Sequence, residues 1–214
     1  MKRNLFYILT ALLGAGCAMQ APVGAQVTLH NVYRAAPQLP RDIRRVAILP
    51  LVADEADAAA GSGRENLEPV LATELAKLHS VELVFISAET LKNITGRRAW
   101  RADDVLPPDF FERLRRATDC EAVLFARLTT FRPYPPLAVG WDLKLVGCAK
   151  KQALWAVDET FDAGDTTVAA AARRFQSGQP WFMPLQDDTE NVLLSPRRFG
   201  QYAANAVVST MTGR

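Results

Sequence analysis

Cys17, Cys120, Cys148, His30 and His79 are the side chains of this 214-residue chain best suited to bind a metal or attack an electrophile. Their spacing argues against both uses. No CxxC or HxxxH pair occurs, and the two histidines lie far in sequence from Cys120 and Cys148, so a metal site is not expected. No Ser/His/Asp or Cys/His arrangement stands out, which speaks against nucleophilic catalysis. Gly61-Ser62-Gly63 lacks the Gly-Lys-Ser/Thr that would make it a phosphate loop. Asp187, Asp188 and Glu190 read as a solvated acidic loop rather than paired catalytic carboxylates. The expectation is a non-enzyme without cofactor.

Cys120 and Cys148 admit a geometric test. The runs 121–130 and 139–149 read as strands separated by a proline-rich turn, and an antiparallel hairpin centred on Tyr134 sets position 120 against 148. The thiols would then be within reach of a disulfide. Closing that loop would stabilise the fold by roughly 3 kcal/mol. A one-residue slip in register would turn the side chains to opposite faces. Two buried free thiols are the competing expectation.

Cys17 belongs to a different chemistry. Lys2 and Arg3 precede an apolar run from Leu5 to Leu13, and small residues lead into the cysteine. The run is too short for a ~30 Å hydrocarbon core and reads as an export signal. The segment resembles a bacterial lipobox, with Gly14 where Leu is usual. That resemblance implies cleavage before Cys17 and lipid attachment, palmitate included, to its new N-terminus. Ala18 rather than Asp beside the cut implies outer-membrane retention, on the periplasmic face. The 25 basic side chains include Lys2 and Arg3; without them, 23 basic face 23 acidic side chains, which gives no electrostatic footprint for nucleic acid. An oxidising compartment also suits the remaining pair of cysteines.

The elements that would position these residues follow from periodicity. The 49% apolar and 22% charged content is ordinary for one globular domain. Residues 1–16 read as signal, 17–43 as lipidated N-terminus and flexible tether, and 44–214 as a single periplasmic domain. As a coil the tether would span roughly 30 Å. Residues 44–51 form an apolar strand, and 53–63 an exposed loop ending in Gly-Ser-Gly. A helix over 66–78 gathers Leu67, Val70, Leu71, Leu75 and Leu78 on one face, with Pro69 in its first turn. Strand 81–86 precedes a short helix capped by Ser87. Helix 109–118 leads to strands at 120–130, 141–148 and 153–161. Trp141, Leu143 and Leu145 alternate with Asp142 and Lys144, as in a sheet wet on one face. Helix 166–175, an irregular segment 177–194 and a helix opened by Ser195-Pro196 complete the chain. The fold class is α/β (α+β), a mixed sheet of about five strands in the order β-α-β-α-β-β-β-α-α with helices packed on it.

The run Arg45-Val-Ala-Ile-Leu-Pro-Leu51, the helix after it, Val81-Glu-Leu-Val-Phe-Ile-Ser87, Asp119-Cys-Glu-Ala-Val-Leu-Phe-Ala-Arg127 and a hairpin ending Ala153-Leu-Trp-Ala-Val157 resemble the TolB amino-terminal-like superfamily of bacterial envelope lipoproteins. Relatives there include the curli-secretion lipoprotein and activators of penicillin-binding proteins. The resemblance covers roughly residues 44–175 and implies a binding or assembly module rather than a catalyst. No connection is long enough to supply the strands of a secretion pore.

The expected function is thus a lipid-anchored envelope protein that binds another envelope protein, or copies of itself, without catalysis. A self-assembling structural subunit and a periplasmic hydrolase with an unidentified active site are the alternatives. The membrane is engaged through the N-terminal lipid. The expected partner surfaces are a sheet edge, or the segment Trp181-Phe182-Met183 with Arg197 and Arg198 nearby, because aromatics and Met are enriched at interfaces.

Overall fold

The computed structural model describes residues 27–53, 58–178 and 192–212. Cys17 and the Trp181-Phe182-Met183 segment lie outside the described residues. The elements are β1 (Val32–Arg34), β2 (Arg45–Ile48), β3 (Val52–Ala53), α1 (Ala58–Leu75), β4 (Glu82–Phe85), α2 (Ala88–Thr95), α3 (Phe110–Thr118), β5 (Ala122–Arg132), β6 (Ala138–Gly147), β7 (Gln152–Asp162), α4 (Thr166–Ser177) and α5 (Pro196–Ser209).

The mixed sheet expected with about five strands is present and, among the described residues, has seven, running β1-β7-β6-β5-β2-β4 with β3 against β5. The two additions, β1 and β3, are three and two residues long. Neither is long enough to show alternation. β1 also revises the reading of residues 17–43 as a tether: Val32, Tyr33 and Arg34 pair antiparallel with Val157, Ala156 and Trp155.

β2 lies between β4 and β5 and is parallel to both. The chain therefore crosses out to β4 through α1 and back past β2 through α2 and α3. Two right-handed crossovers in opposite directions place their helices on opposite faces of the sheet. The core divides in that way. Leu67, Leu71 and Leu75 of α1 pack with Ile48, Leu124, Trp141 and Trp155 and with Phe199 and Val207 of α5. Leu91 of α2 and Phe110, Phe111 and Leu114 of α3 pack with Ala47, Val123 and Phe125. Asp142 and Lys144 are only partly buried whereas Trp141, Leu143 and Leu145 are fully so, as the alternation requires.

The helix ends obey local chemistry. Ser87 Oγ accepts the Thr90 amide, Asp165 the Thr167 amide and Ser195 the Arg198 amide, which satisfies first-turn donors. Gly96 and Gly178 close α2 and α4 in the left-handed region.

α1 departs from expectation at its start. The stretch read as a loop is helical from Ala58, and Pro69 consequently sits in the helix interior rather than the first turn. Its missing N–H leaves the carbonyl four residues back without a helical donor, but Glu65 and Pro69 both face solvent. Gly63 is needed in the helix because a Cβ there would lie 2.5 Å from Phe131 Cγ and 2.9 Å from Leu128 Cδ2, whereas a Cβ on Gly61 meets nothing within 4 Å. Helix propensity favours alanine over glycine by about 1 kcal/mol at either site. Gly61→Ala is therefore expected to stabilise the protein by about 0.5–1 kcal/mol. Gly63→Ala is expected to destabilise it by about 1–3 kcal/mol, overpacking outweighing propensity. Urea denaturation of the two variants checks the opposite signs.

α1 and α5 are also joined by a polar contact. Glu74, 1% exposed, takes Lys77 Nζ at 2.6 and 2.7 Å, Gln201 Nε2 at 3.0 Å and Asn205 Nδ2 at 3.0 Å.

Candidate functional site

A crevice lies beside the carboxyl ends of β2 and β4, which stay paired there, and beneath α1. Ile48 to Leu51 at the end of β2, Phe85 and Ile86 at the end of β4, and Leu71 and Leu75 of α1 enclose about 250 Å³ there. Glu68 is the one charged side chain in the lining. Its Oε1 accepts the Leu51 amide at 2.9 Å, which fixes the chain beyond Pro50 against α1. The pocket is thus an apolar slot with a single carboxylate at its margin.

β4 adds a second property, because among the described residues it ends the sheet and pairs only with β2. The Glu82 amide donates to the Arg44 carbonyl and the Ile86 amide to the Ile48 carbonyl. In a parallel ladder alternate residues face opposite sides. Leu83 and Phe85 therefore direct their backbone groups outward. Phe85 is 49% exposed at the rim of the crevice. An unpaired strand edge beside an apolar slot is suited to accept an extended peptide, with main-chain pairing on β4 and a side chain in the slot.

The cysteine pair sits at the other end of β2 and β5. Its expected register is corrected by one residue: Ala122 pairs with Gly147 and Val123 with Val146, which sets Glu121 rather than Cys120 opposite Cys148. The Cys148 amide donates to the Glu121 carbonyl at 2.8 Å. A second departure cancels the first. The chain bends at Glu121, whose Oε2 accepts the amides of Arg45 at 2.7 Å and Arg44 at 3.0 Å. The bend breaks the alternation and turns Cys120 onto the face of Val123 and Phe125, where Cys148 also packs. The Sγ atoms lie 3.8 Å apart as free thiols.

The electrostatics follow from these contacts. Burial pushes the Glu121 carboxyl up, but the two arginine amides outweigh it and hold the group below its ordinary range. The hydrogen bond from Cys148 draws the Cys120 thiol down to about 7, while the same contact, with burial, raises Cys148.

Arg197 and Arg198 are exposed in the first turn of α5. His30 and His79 are exposed and distant from the cysteines in sequence. Among the described residues, no three His, Cys, Asp or Glu side chains gather to hold a metal, and no helix is long and apolar enough to cross a membrane.

No family model matches the chain and no curated protein matches it. Among solved structures, it is similar to the PelC dodecamer of Paraburkholderia phytofirmans, at 13% identity and TM-score 0.45 over 86% of this chain and 96% of that one. It is similar to lipoprotein GNA1162 of Neisseria meningitidis, at 13% identity and TM-score 0.40 over 64% and 99%. LpoB of E. coli follows at 12% identity and TM-score 0.38 over 73% and 82%. Of these three, GNA1162 is named as a lipoprotein, and the likenesses assign no residue a role.

Proposed function

We propose that this chain is a lipid-anchored protein of the bacterial envelope that binds an extended segment of another envelope protein along β4, without catalysis. The observation that carries the reading is the open β4 edge, with Phe85 half-exposed over the apolar crevice at the ends of β2 and β4. A strand laid against Leu83 and Phe85 would satisfy their outward backbone groups and bury the phenyl ring. Cys17 is the attachment point for lipid in this reading, and the outer membrane is its location. The sequence supports both through the lipobox-like run and Ala18.

A photo-crosslinking residue at position 85, introduced in intact cells, tests the binding edge, with position 33 on β1 as comparison. The expected result is one defined adduct from position 85 that is lost with Leu83→Pro, because proline removes a backbone donor at the edge. Capture of copies of this chain alone would favour a self-assembling subunit. Equal capture from positions 33 and 85, or none from 85, would reject the docking edge. Fractionation of Cys17→Ala checks the anchor separately: the variant is expected in the soluble fraction, and a wild type that is also soluble would refute lipidation.

A further inference from the structure

The thiol pair plays no part in the docking edge, yet its geometry is that of a modification site. Cys120 and Cys148 are separated by 28 positions in sequence and brought to 3.8 Å by the β5–β6 ladder and the bend at Glu121. Both are buried, but not equally: Cys120 is 0% exposed and Cys148 is 7% exposed. Cys148 borders two openings. One, of about 390 Å³, is shared with Arg115, Glu121 and Lys150. The other, of about 280 Å³, is shared with Phe111 and Lys151. Cys120 borders neither. An incoming reagent therefore meets Cys148 first and finds Cys120 directly behind it.

We propose that Cys120 and Cys148 form an intramolecular disulfide by thiol–disulfide exchange, with Cys148 attacking first and Cys120 resolving. The oxidant is a small or protein-borne disulfide. The Cys148 thiolate attacks one of its sulfurs, the S–S bond breaks, and the departing thiolate takes up the proton lost by Cys148. The Cys120 thiolate then attacks Cys148 Sγ and expels the second half of the oxidant, which takes up the proton of Cys120. Two protein thiols are oxidised and one disulfide is reduced to two thiols. From 3.8 Å the sulfurs close to the ~2.05 Å of a covalent bond. Arg115 at the opening favours the Cys148 thiolate, but the Cys120 contact and burial raise that thiol more, so the order of attack follows from access rather than acidity.

The bond would secure a joint that carries more than the two strands. Glu121, adjacent to Cys120, holds the amides of Arg44 and Arg45 and so fixes the start of β2. Tying Cys120 to the residue after β6 would further restrain the neighbouring Glu121.

Oxidised glutathione added to the purified, natively folded full chain provides the test, read by intact mass and peptide mapping so that Cys17 is scored separately. The expected product has lost two hydrogens and joins the peptides of Cys120 and Cys148. Its thermal midpoint is expected to fall when reductant is added. Cys120→Ser should accumulate a glutathione adduct on Cys148. Cys148→Ser should leave Cys120 unmodified until denaturant is added. A wild type that retains both thiols, or that stops as a glutathione adduct, would overturn the bond. Equal native reactivity of Cys120 and Cys148 in the two single variants would overturn the order of attack. The wild-type measurement needs no substitution, so an unstable variant leaves the central claim open to refutation.

Discussion

Trp141→Ala is expected to lower the unfolding free energy by about 3–5 kcal/mol, the cost of emptying a large aromatic site in a core that relaxes only in part. Trp141 is 0% exposed in the middle of β6, paired across the sheet with Leu128 and Glu159. It belongs to the cluster that also holds Phe199 and Val207 of α5, so its loss opens a void between sheet and helix. Trp141→Phe should cost less than half as much, for a specific reason. Among the described residues nothing accepts a hydrogen bond from Trp141 Nε1, so phenylalanine sacrifices volume but no bond. Trp155 on the neighbouring strand is the contrast, because its Nε1 donates to Thr210 Oγ1 at 3.0 Å. Trp155→Phe should therefore cost about 1 kcal/mol more than Trp141→Phe. Chemical denaturation of the three variants measures all of these, and equal losses for the two phenylalanine variants would sink the distinction.

Glu74→Ala is expected to cost about 2–4 kcal/mol, since charge-assisted hydrogen bonds are individually worth more than neutral ones and three donors lose one acceptor. Burial pushes the Glu74 carboxyl up, but Lys77, Asn205 and Gln201 outweigh it and hold the group below its ordinary range. A carboxyl lowered by folding contributes stability that is present above its unfolded value, near 4.3, and lost as pH falls through the folded value. Glu74→Gln keeps the shape and lacks the titration. The stability gap between wild type and Glu74→Gln is thus expected to be constant from pH 7 to about 5 and to shrink below about 4. A gap that widens on acidification would contradict the assignment.

What the sequence discloses about this fold depends on how local the cause is. α3 and α5 are legible because their signals are written within a turn or two: Phe110, Phe111 and Leu114 form the buried face of α3, while Ser195-Pro196 opens α5 over buried Phe199, Tyr202 and Val207. The start of α1 is not legible. Gly-Ser-Gly signals a loop to any local reading, while the reason for Gly63 is Phe131 on a distant strand. The hairpin was legible as a hairpin but not in its register, because the pairing near the turn is centred on position 135 rather than Tyr134 and slips by one residue between Leu128 and Thr130. The crevice is further still from the sequence. It lies where the ends of β2 and β4 meet α1, and the pairing order that brings them together is not written in any one segment. Two residues could have pointed to it: Pro50, which ends the first core strand, and Phe85, an aromatic at the exit of the second.

The pairing of β1 with β7 has a mechanical consequence for a protein held at Cys17. Ten peptide units from Cys17 to Val27 reach at most ~35 Å, so the fastening side of the molecule has a short standoff from the leaflet. β1 and β4 lie at the two extremes of the sheet, five interstrand steps apart, or about 24 Å at ~4.8 Å each. In a protein so held, the end nearest the anchor would be the end farthest from Phe85. A partner would be met at the distal margin, where the ~24 Å width of the sheet adds to the leader's reach of at most ~35 Å in setting how far from the bilayer the two proteins join.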